Sequence, residues 1–356
     1  MEQIKQLDFT GKIIYAGLDV HKKDWKVSIL LEESTFKQFS QPPDPKKLGN
    51  YLRKHFPGGI YKSVYEAGFC GFWIHEGLLA EGIENIVVNP ADVPTTDKER
   101  QQKTDKRDAL KLSKSLRGGQ LEGIYTPSRS QQEDRSLLRL RDRQVSDIVR
   151  TKNRIKSHLH FFGIAIPEEY SKSNWSKNFL KWLRGIEMKT NTGRITLETF
   201  LDQLDLQRKI LLKTNREIRA LSQSPEYKLQ TDLLLSIPGI GVTGLMKILT
   251  EIGDIQRFKG LKRLAAYVGF IPKTDSSGEH ERVGQMTKRG NRQLKKILIE
   301  ASWIAIRNDP VLALKYSELL QTMKAQNAII RIARKLLNRI RHVLIKKEKY
   351  VIGTVK

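Results

Sequence analysis

Ile13-Ile14-Tyr15-Ala16-Gly17-Leu18-Asp19-Val20, then His21-Lys22-Lys23-Asp24, then Trp25-Lys26-Val27-Ser28-Ile29-Leu30-Leu31, is the stretch on which the fold turns. The first segment is an apolar run closing on an acid, the second a polar turn, and the third alternates apolar and polar residues like a half-buried strand. Phe36-Lys37-Gln38-Phe39 offers a third strand, after which Pro42, Pro43 and Pro45 break the pattern. A short helix is expected from about Asp44 to Phe56, with Asp44 as its cap and Pro45 in its first turn. Lys62-Ser63-Val64-Tyr65-Glu66 reads as a strand, Phe72 to Gly82 has helical spacing, and Asn85-Ile86-Val87-Val88-Asn89 is a further short strand. Thr104 can cap a helix running from Asp105 to about Arg117. Strands in hairpin order, followed by alternating helix and strand, predict a mixed α/β sheet with helices on it.

The chain has 356 residues, enough for two or three domains. It carries 64 Lys and Arg against 39 Asp and Glu, a net charge of +25 spread from Lys12 to Lys356. Dispersed positive charge of this size is the footprint of a partner with many phosphates rather than of a membrane surface, which is met by one polybasic cluster. The single cysteine, Cys70, excludes an intramolecular disulfide framework and a Cys-rich zinc module. The first residues contain no apolar signal core, and no apolar run approaches the length of a membrane span, so a soluble cytoplasmic protein with no membrane partner is expected. None of the seven histidines pairs with another at metal-ligand spacing.

Residues 130–162 contain neither Pro nor Gly, and Leu138, Val145, Lys152 and Leu159 recur every seven positions, with Ile148, Ile155 and Phe162 between them. This predicts an amphipathic helix about 48 Å long. A second long helix is expected from about Thr196 to Ser222, and two such helices around an irregular insert make a coiled-coil hairpin whose apolar stripe is buried internally or against another subunit. In the last third, Ile237-Pro238-Gly239-Ile240-Gly241 precedes an apolar helix and is similar to a helix-hairpin-helix turn, in which Gly239 and Gly241 let backbone amides approach phosphate. More helices follow, and the polar segment 272–289 between them reads as a loop. The organisation read from the sequence is therefore α/β plus all-α, with boundaries at 1–125, 126–224 and 225–356.

Four acids stand at the ends of predicted elements. Asp19 and Glu66 close strands, and Asp105 and Asp108 open a helix at a spacing that puts both on one face. Taken singly, each is better served by a structural role than by a catalytic one: Asp105 complements a helix dipole and Asp19 suits a turn. Taken together, carboxylates at strand ends mark the edge where sites are built, and their repulsion calls for a divalent cation such as Mg²⁺. The order strand-Asp, strand-Glu, helix-Asp-x-x-Asp is the arrangement of the RNase H-like nuclease fold. Downstream, Ser276-Ser277-Gly278 lies in the polar segment, with Lys288, Arg289, Asn291 and Arg292 close behind. On local sequence, this Ser-Gly pair is simply a loop.

Taken as a set, Gly17-Leu18-Asp19-Val20-His21-Lys22, Tyr65-Glu66-Ala67, Lys103-Thr104-Asp105-Lys106-Arg107-Asp108-Ala109, the Pro-Gly turn, Leu264 to Pro272, Ser277-Gly278 and Lys288-Arg289-Gly290-Asn291 resemble the DEDD transposases of the one-ten insertion-sequence family, relatives of the pilin-gene DNA invertases. The resemblance implies an N-terminal RuvC-like domain holding Mg²⁺ through Asp19, Glu66, Asp105 and Asp108. It implies a coiled-coil segment that makes a homo-oligomer, dimer or tetramer, and a C-terminal transposase domain with a nucleophilic serine. Ser277 best fits the family pattern and Ser276 is the fallback. It further implies an element-encoded guide RNA that pairs with target and donor DNA, with Gly239, Gly241, Lys288, Arg289, Asn291 and Arg292 contacting nucleic acid. A protein whose specificity is delegated to RNA needs backbone contacts more than base readout, which suits dispersed basic charge. The alternatives are a site-specific invertase, a RuvC-like junction nuclease in which water attacks, and a non-catalytic nucleic-acid binding protein. The ordered acids weigh against the last, because binding a polyanion disfavours them.

Overall fold

The computed structural model describes residues 8–32, 34–95, 105–171, 175–277, 280–287 and 289–353. The chain divides into two compact units, Met1–Pro127 and Ser128–Lys356. Among the described residues, no helix is long and apolar enough to cross a membrane.

The first unit is built on β1 (Ile13–Val20), β2 (Trp25–Leu30), β3 (Thr35–Gln41), β4 (Ile60–Glu66) and β5 (Glu84–Val88), joined by α1 (Pro45–His55), α2 (Trp73–Ala80) and α3 (Asp105–Arg117). The sheet order is β3-β2-β1-β4-β5. The β1–β2 and β2–β3 pairs are antiparallel, and β1–β4 and β4–β5 are parallel. This is the mixed sheet expected, and it fits an RNase H-like domain. Asp44 caps α1 by accepting from the Lys46 N–H, with Pro45 beginning the helix.

Alternation along the strands sorts side chains onto two faces. Ile14, Ala16 and Leu18 of β1, with Tyr65 of β4, pack with Leu48 and Leu52 of α1 and Ile74 and Leu78 of α2. The opposite face belongs to α3, where Val64 packs with Leu112 and the Ser113 hydroxyl donates to Ser28 at 3.2 Å. Gly17 lies on this second face. A Cβ placed there would stand 2.1 Å from the Ala109 carbonyl oxygen and 2.4 Å from the Ser113 nitrogen. The α3 backbone is thus seated directly on β1, an approach that only a residue without a side chain permits.

The second unit contains α4 (Arg129–Phe161), α5 (Glu168–Ser171), α6 (Lys177–Arg184), α7 (Asn191–Ser222), α8 (Lys228–Leu234), α9 (Val242–Ile252), α10 (Leu261–Val268), the strands β6 (Pro272–Ser277) and β7 (His280–Met286), and α11 (Arg292–Asn308), α12 (Pro310–Leu320) and α13 (Ala325–Lys346). α4 packs along α7, burying Ile148, Ile155 and Leu159 against Leu197, Leu201 and Leu204, with Trp175, Phe179 and Leu183 in the same core. α7 begins earlier than its apolar spacing predicts, because Thr190 supplies a cap by accepting from the Gly193 N–H. A larger core gathers around α9, α11 and α13, including Leu245, Met246, Leu298, Ile332 and Leu336.

The segment read as a loop over 272–289 contains an antiparallel hairpin, β6 paired with β7. Its sequences, PKTDSS and HERVGQM, lack the apolar alternation that marks a buried strand. Only two residues separate them, the spacing from which hairpins are made.

At the junction of α11 and α12, Asp309 is completely buried. It accepts from the Leu312 N–H (3.0 Å), the Arg339 guanidinium (2.5 Å) and the Tyr350 hydroxyl (2.7 Å). Burial works to raise its pKa, but these donors outweigh burial and hold it below the usual carboxylate range. Burial and the Asp309 contact push Tyr350 up to about 12.

Two outcomes are expected. Gly17→Ala must push α3 off β1, lowering unfolding free energy by about 1–3 kcal/mol in urea titrations. A group whose folded pKa is depressed contributes stability above its unfolded pKa and loses it as pH falls, so the Asp309 contribution fades below about pH 4. Asp309→Asn should cost about 3–5 kcal/mol at neutral pH. It should also flatten the acid limb of the melting temperature against pH.

Candidate active site and nucleic-acid interface

Asp19 sits two residues beyond Gly17 on β1, and Glu66 two residues beyond Val64 on β4. Strand alternation therefore puts both carboxylates on the α3 face. β1 and β4 are parallel neighbours, with Leu18 opposite Tyr65, so Asp19 and Glu66 leave the sheet at the same edge. α3 begins at Asp105 and carries Asp108 immediately before Ala109, the residue whose carbonyl meets Gly17. The sheet and the Gly17 contact thus bring Asp19, Glu66 and the first turn of α3 to one end of the unit. The Asp105 side chain, like Thr104, lies outside the described residues.

Around this edge, His21 Nε2 meets Asp19 Oδ2 at 3.1 Å, which gives the histidine of the β1–β2 turn a role in orienting the carboxylate. Asp19 and Asp108 keep 23% and 21% of their side-chain surface exposed, enough to be reached by a ligand. Lys111 lies 3.8 Å from Asp108 and donates to Thr95 Oγ1 at 3.3 Å. Burial pushes the Cys70 thiol up, and the nearby Asp19 charge adds to the shift. Lys22 stands 6.0 Å from the centre of the exposed Phe69 ring. Among the described residues, no three His, Cys, Asp or Glu side chains converge closely enough to hold an ion. The donor chemistry itself is uniform: Asp19, Glu66 and Asp108 are all carboxylates, the donor type that a hard divalent cation takes rather than a thiophilic one.

In the second unit, Ser276 and Ser277 end β6, paired in register with Glu281 and His280, so both stand at the tip of the hairpin. Their side chains and Gly278 lie outside the described residues, as does Lys288. Arg289 and Arg292 are exposed. Asn291 is not left open in the same way. Its Oδ1 caps α11 by accepting from the Gln293 and Leu294 N–H groups, and its Nδ2 donates to Glu251 Oε2 at 2.8 Å.

Glu251, 3% exposed, is the centre of a cluster that the apolar reading of its helix does not reveal. Arg139 meets both of its oxygens at 2.8 and 3.1 Å, and Arg135 lies at 3.7 Å. Only the acid's position in a buried helix, with arginines four apart on α4, could have signalled it. Gly239 has φ +87°, and a Cβ there would lie 2.3 Å from the Ala301 carbonyl oxygen, so its bare Cα serves the packing of the turn on α11. Gly241, at the start of α9, has open space beside it.

A transposase model of the IS110 DEDD type matches residues 16–164, and a model described as the transposase IS116/IS110/IS902 family matches residues 231–317. The chain is 30% identical over 279 residues to the transposase-named protein y4rJ of Sinorhizobium fredii, covering 73% of this chain and 69% of that one. It is 26% identical over 241 residues to y4qE of the same organism, covering 67% of this chain and 57% of the relative, less than two thirds of that protein's length. The transposase for insertion sequence element IS1533 of Leptospira borgpetersenii is 24% identical over 300 residues, covering 82% and 84%.

The dual use of Asn291 has a measurable consequence. Asn291→Ala removes a helix cap and a donor to a buried carboxylate, so it should lower unfolding free energy by about 1–3 kcal/mol. Arg292→Ala, next in sequence but exposed, should leave stability within about 0.5 kcal/mol. Equal, small decreases in chemical denaturation would contradict the capping role.

Proposed function

The chain belongs to the IS116/IS110/IS902 family of transposases, and on that premise we propose that it is a DNA transposase that breaks and rejoins phosphodiester bonds at a site formed by Asp19, Glu66, Asp105 and Asp108. The observation that carries this reading is the seating of α3 on β1 at Gly17, which delivers the start of the Asp105–Arg117 helix to the edge where Asp19 and Glu66 emerge. The four acids would hold divalent cations, Mg²⁺ in this reading. When bound there, such a cation supplies Lewis-acid activation of the scissile phosphate. His21 orients the Asp19 carboxylate through its 3.1 Å contact.

Ser277, with Ser276 as the fallback, is the nucleophile of this reading. Its position at the tip of a hairpin suits a group that must reach a phosphate. The serine oxygen gives up its proton and bonds to phosphorus, and the bond to the departing deoxyribose oxygen breaks, that oxygen leaving as a hydroxyl once protonated. Strand exchange reverses the step with a different DNA hydroxyl. The net charge of +25 supports a guide RNA as well as DNA among the partners.

The remaining parts of the reading follow the same division of labour. Residues 1–125 form the RuvC-like catalytic part and 225–356 the transposase part, with a helix-hairpin-helix turn at Gly239 and Gly241. Residues 126–224 form a coiled-coil part that assembles a dimer or tetramer. Exposed Leu206, Ile210 and Leu212 on α7 support that last assignment.

Strand exchange with Mg²⁺ and the cognate RNA tests the mechanism. Asp19→Ala should reduce cleavage about a thousandfold or more. Ser277→Ala should remove the covalent protein–DNA adduct, and retention of the adduct in that variant but not in Ser276→Ala would move the role to Ser276. Full cleavage by Asp19→Ala would refute the site. Cleavage without any adduct in the unaltered protein would make water the nucleophile and the chain a junction nuclease.

A further inference from the structure

A cleft of about 1560 Å³ opens between α12, α13 and the foot of the β6–β7 hairpin. It exceeds the roughly 300–1,000 Å³ of small-molecule sites. Met286, Leu314 and Ile330 give it an apolar lining. One wall is the face of α13 that carries Arg331, Arg334, Lys335 and Asn338, at positions i, i+3, i+4 and i+7. The other wall presents Lys315, which donates to Glu318 at 2.5 Å, so the carboxylate lining the cleft is already neutralised.

The three cations of α13 differ from their neighbour Arg339. That residue is committed to Asp309 and lies over the Tyr350 ring at 4.8 Å. Among the described residues, no carboxylate stands within ion-pair distance of Arg331, Arg334 or Lys335. Like charges three and four residues apart on a helix repel one another, and a bound polyanion removes that repulsion. The ligand must therefore be anionic, extended and larger than a metabolite. A duplex would offer the cleft its phosphates and keep its bases stacked away from the apolar lining. An unpaired strand offers both phosphate for the wall and base faces for the apolar lining, the combination by which single strands are held.

We infer that this cleft is a binding site for an unpaired nucleic-acid strand, with Arg331, Arg334 and Lys335 on the phosphates and Met286, Leu314 and Ile330 against the bases. The inference rests on the reading of the chain as a transposase. It adds a site outside the acidic edge and outside the residues at 239–241 and 288–292. An unpaired stretch of guide RNA and a displaced DNA strand share the required chemistry.

The test compares the full-length protein with the triple variant Arg331→Ala, Arg334→Ala, Lys335→Ala, after circular dichroism has established that it is folded. A milder pair, Arg331→Gln with Lys335→Gln, gives a second measure. The control removes the same charge from exposed positions of α1: Lys46→Ala, Lys47→Ala, Lys54→Ala. Fluorescence anisotropy follows binding of an unpaired RNA, an unpaired DNA of the same sequence and a duplex DNA across a salt series. The cleft triple should weaken unpaired-strand binding on the order of ten- to hundredfold near physiological salt. It should also lower the salt slope by about 2, since each neutralised phosphate of a single strand accounts for roughly 0.7 of that slope. Duplex binding and the control triple should change much less. A larger effect on RNA identifies guide RNA as the occupant, and a larger effect on DNA identifies a displaced strand. Equal weakening by the cleft and control triples, or equal weakening for duplex and unpaired strands, would overturn the inference while leaving the transposase reading intact. An unaltered protein that binds none of the three would overturn both.

Discussion

The closest constraint in the first unit is the contact between the α3 backbone and β1 at Gly17. Everything proposed for the acidic edge depends on it. Strand alternation sets Asp19 and Glu66 on one face of the sheet, but a sheet face alone provides two carboxylates in a row. The helix must come down on the same face, and close, for its first turn to stand beside them. A methyl group at position 17 would occupy the space of the Ala109 carbonyl. The Ser113–Ser28 hydrogen bond and the packing of Leu112 on Val64 then hold the helix in register with β1 and β2. The glycine two residues before the acid therefore sets where the first turn of α3 stands, although it has no functional group of its own.

Much of this unit was legible in the sequence because its strands are apolar and its turns polar. The segments ending at Asp19 and Glu66 lie on adjacent, buried strands, whose composition is dictated by burial on both faces. The hairpin at Pro272–Met286 was not legible, because Lys273, Asp275, Glu281 and Arg282 give no periodic apolar signal; pairing there comes from the backbone and the short connection. The start of α7 was hidden for a different reason. Its first turn, Asn191-Thr192-Gly193-Arg194, contains no apolar residue, and only the Thr190 cap marks it. The face-sharing of Asp19 and Glu66 follows from counting residues along each strand. The proximity of α3 requires knowing that Gly17 faces a helix, which no local pattern states.

The charges of the second unit fall into two populations that composition cannot separate. Arg135 and Arg139 surround the buried Glu251, and Arg339 is held by Asp309. Arg257 donates to the Ile252 carbonyl and stacks over Phe258 and Tyr267 at 4.1 and 4.7 Å. These arginines replace water around buried acceptors, and their removal would expose those groups to a low-dielectric interior. Arg135 and Arg339 thus contribute to the net charge of the chain while offering little surface to a phosphate, whereas Arg139 keeps 49% of its side chain exposed beside its Glu251 contact.

This division bears on how a strongly basic protein recognises nucleic acid at all. A uniform field raises the local concentration of any polyanion and favours none of its forms. Discrimination between paired and unpaired strands needs cations placed beside something that only an unpaired base can touch. Lys46, Lys47 and Lys54 stand exposed on α1, so they add to the field alone. The α13 wall sets Arg331, Arg334 and Lys335 beside an apolar concavity lined by Met286, Leu314 and Ile330. The same residue types thus do different work in the two places, and the shape beneath the charge, rather than the amount of charge, carries the selectivity.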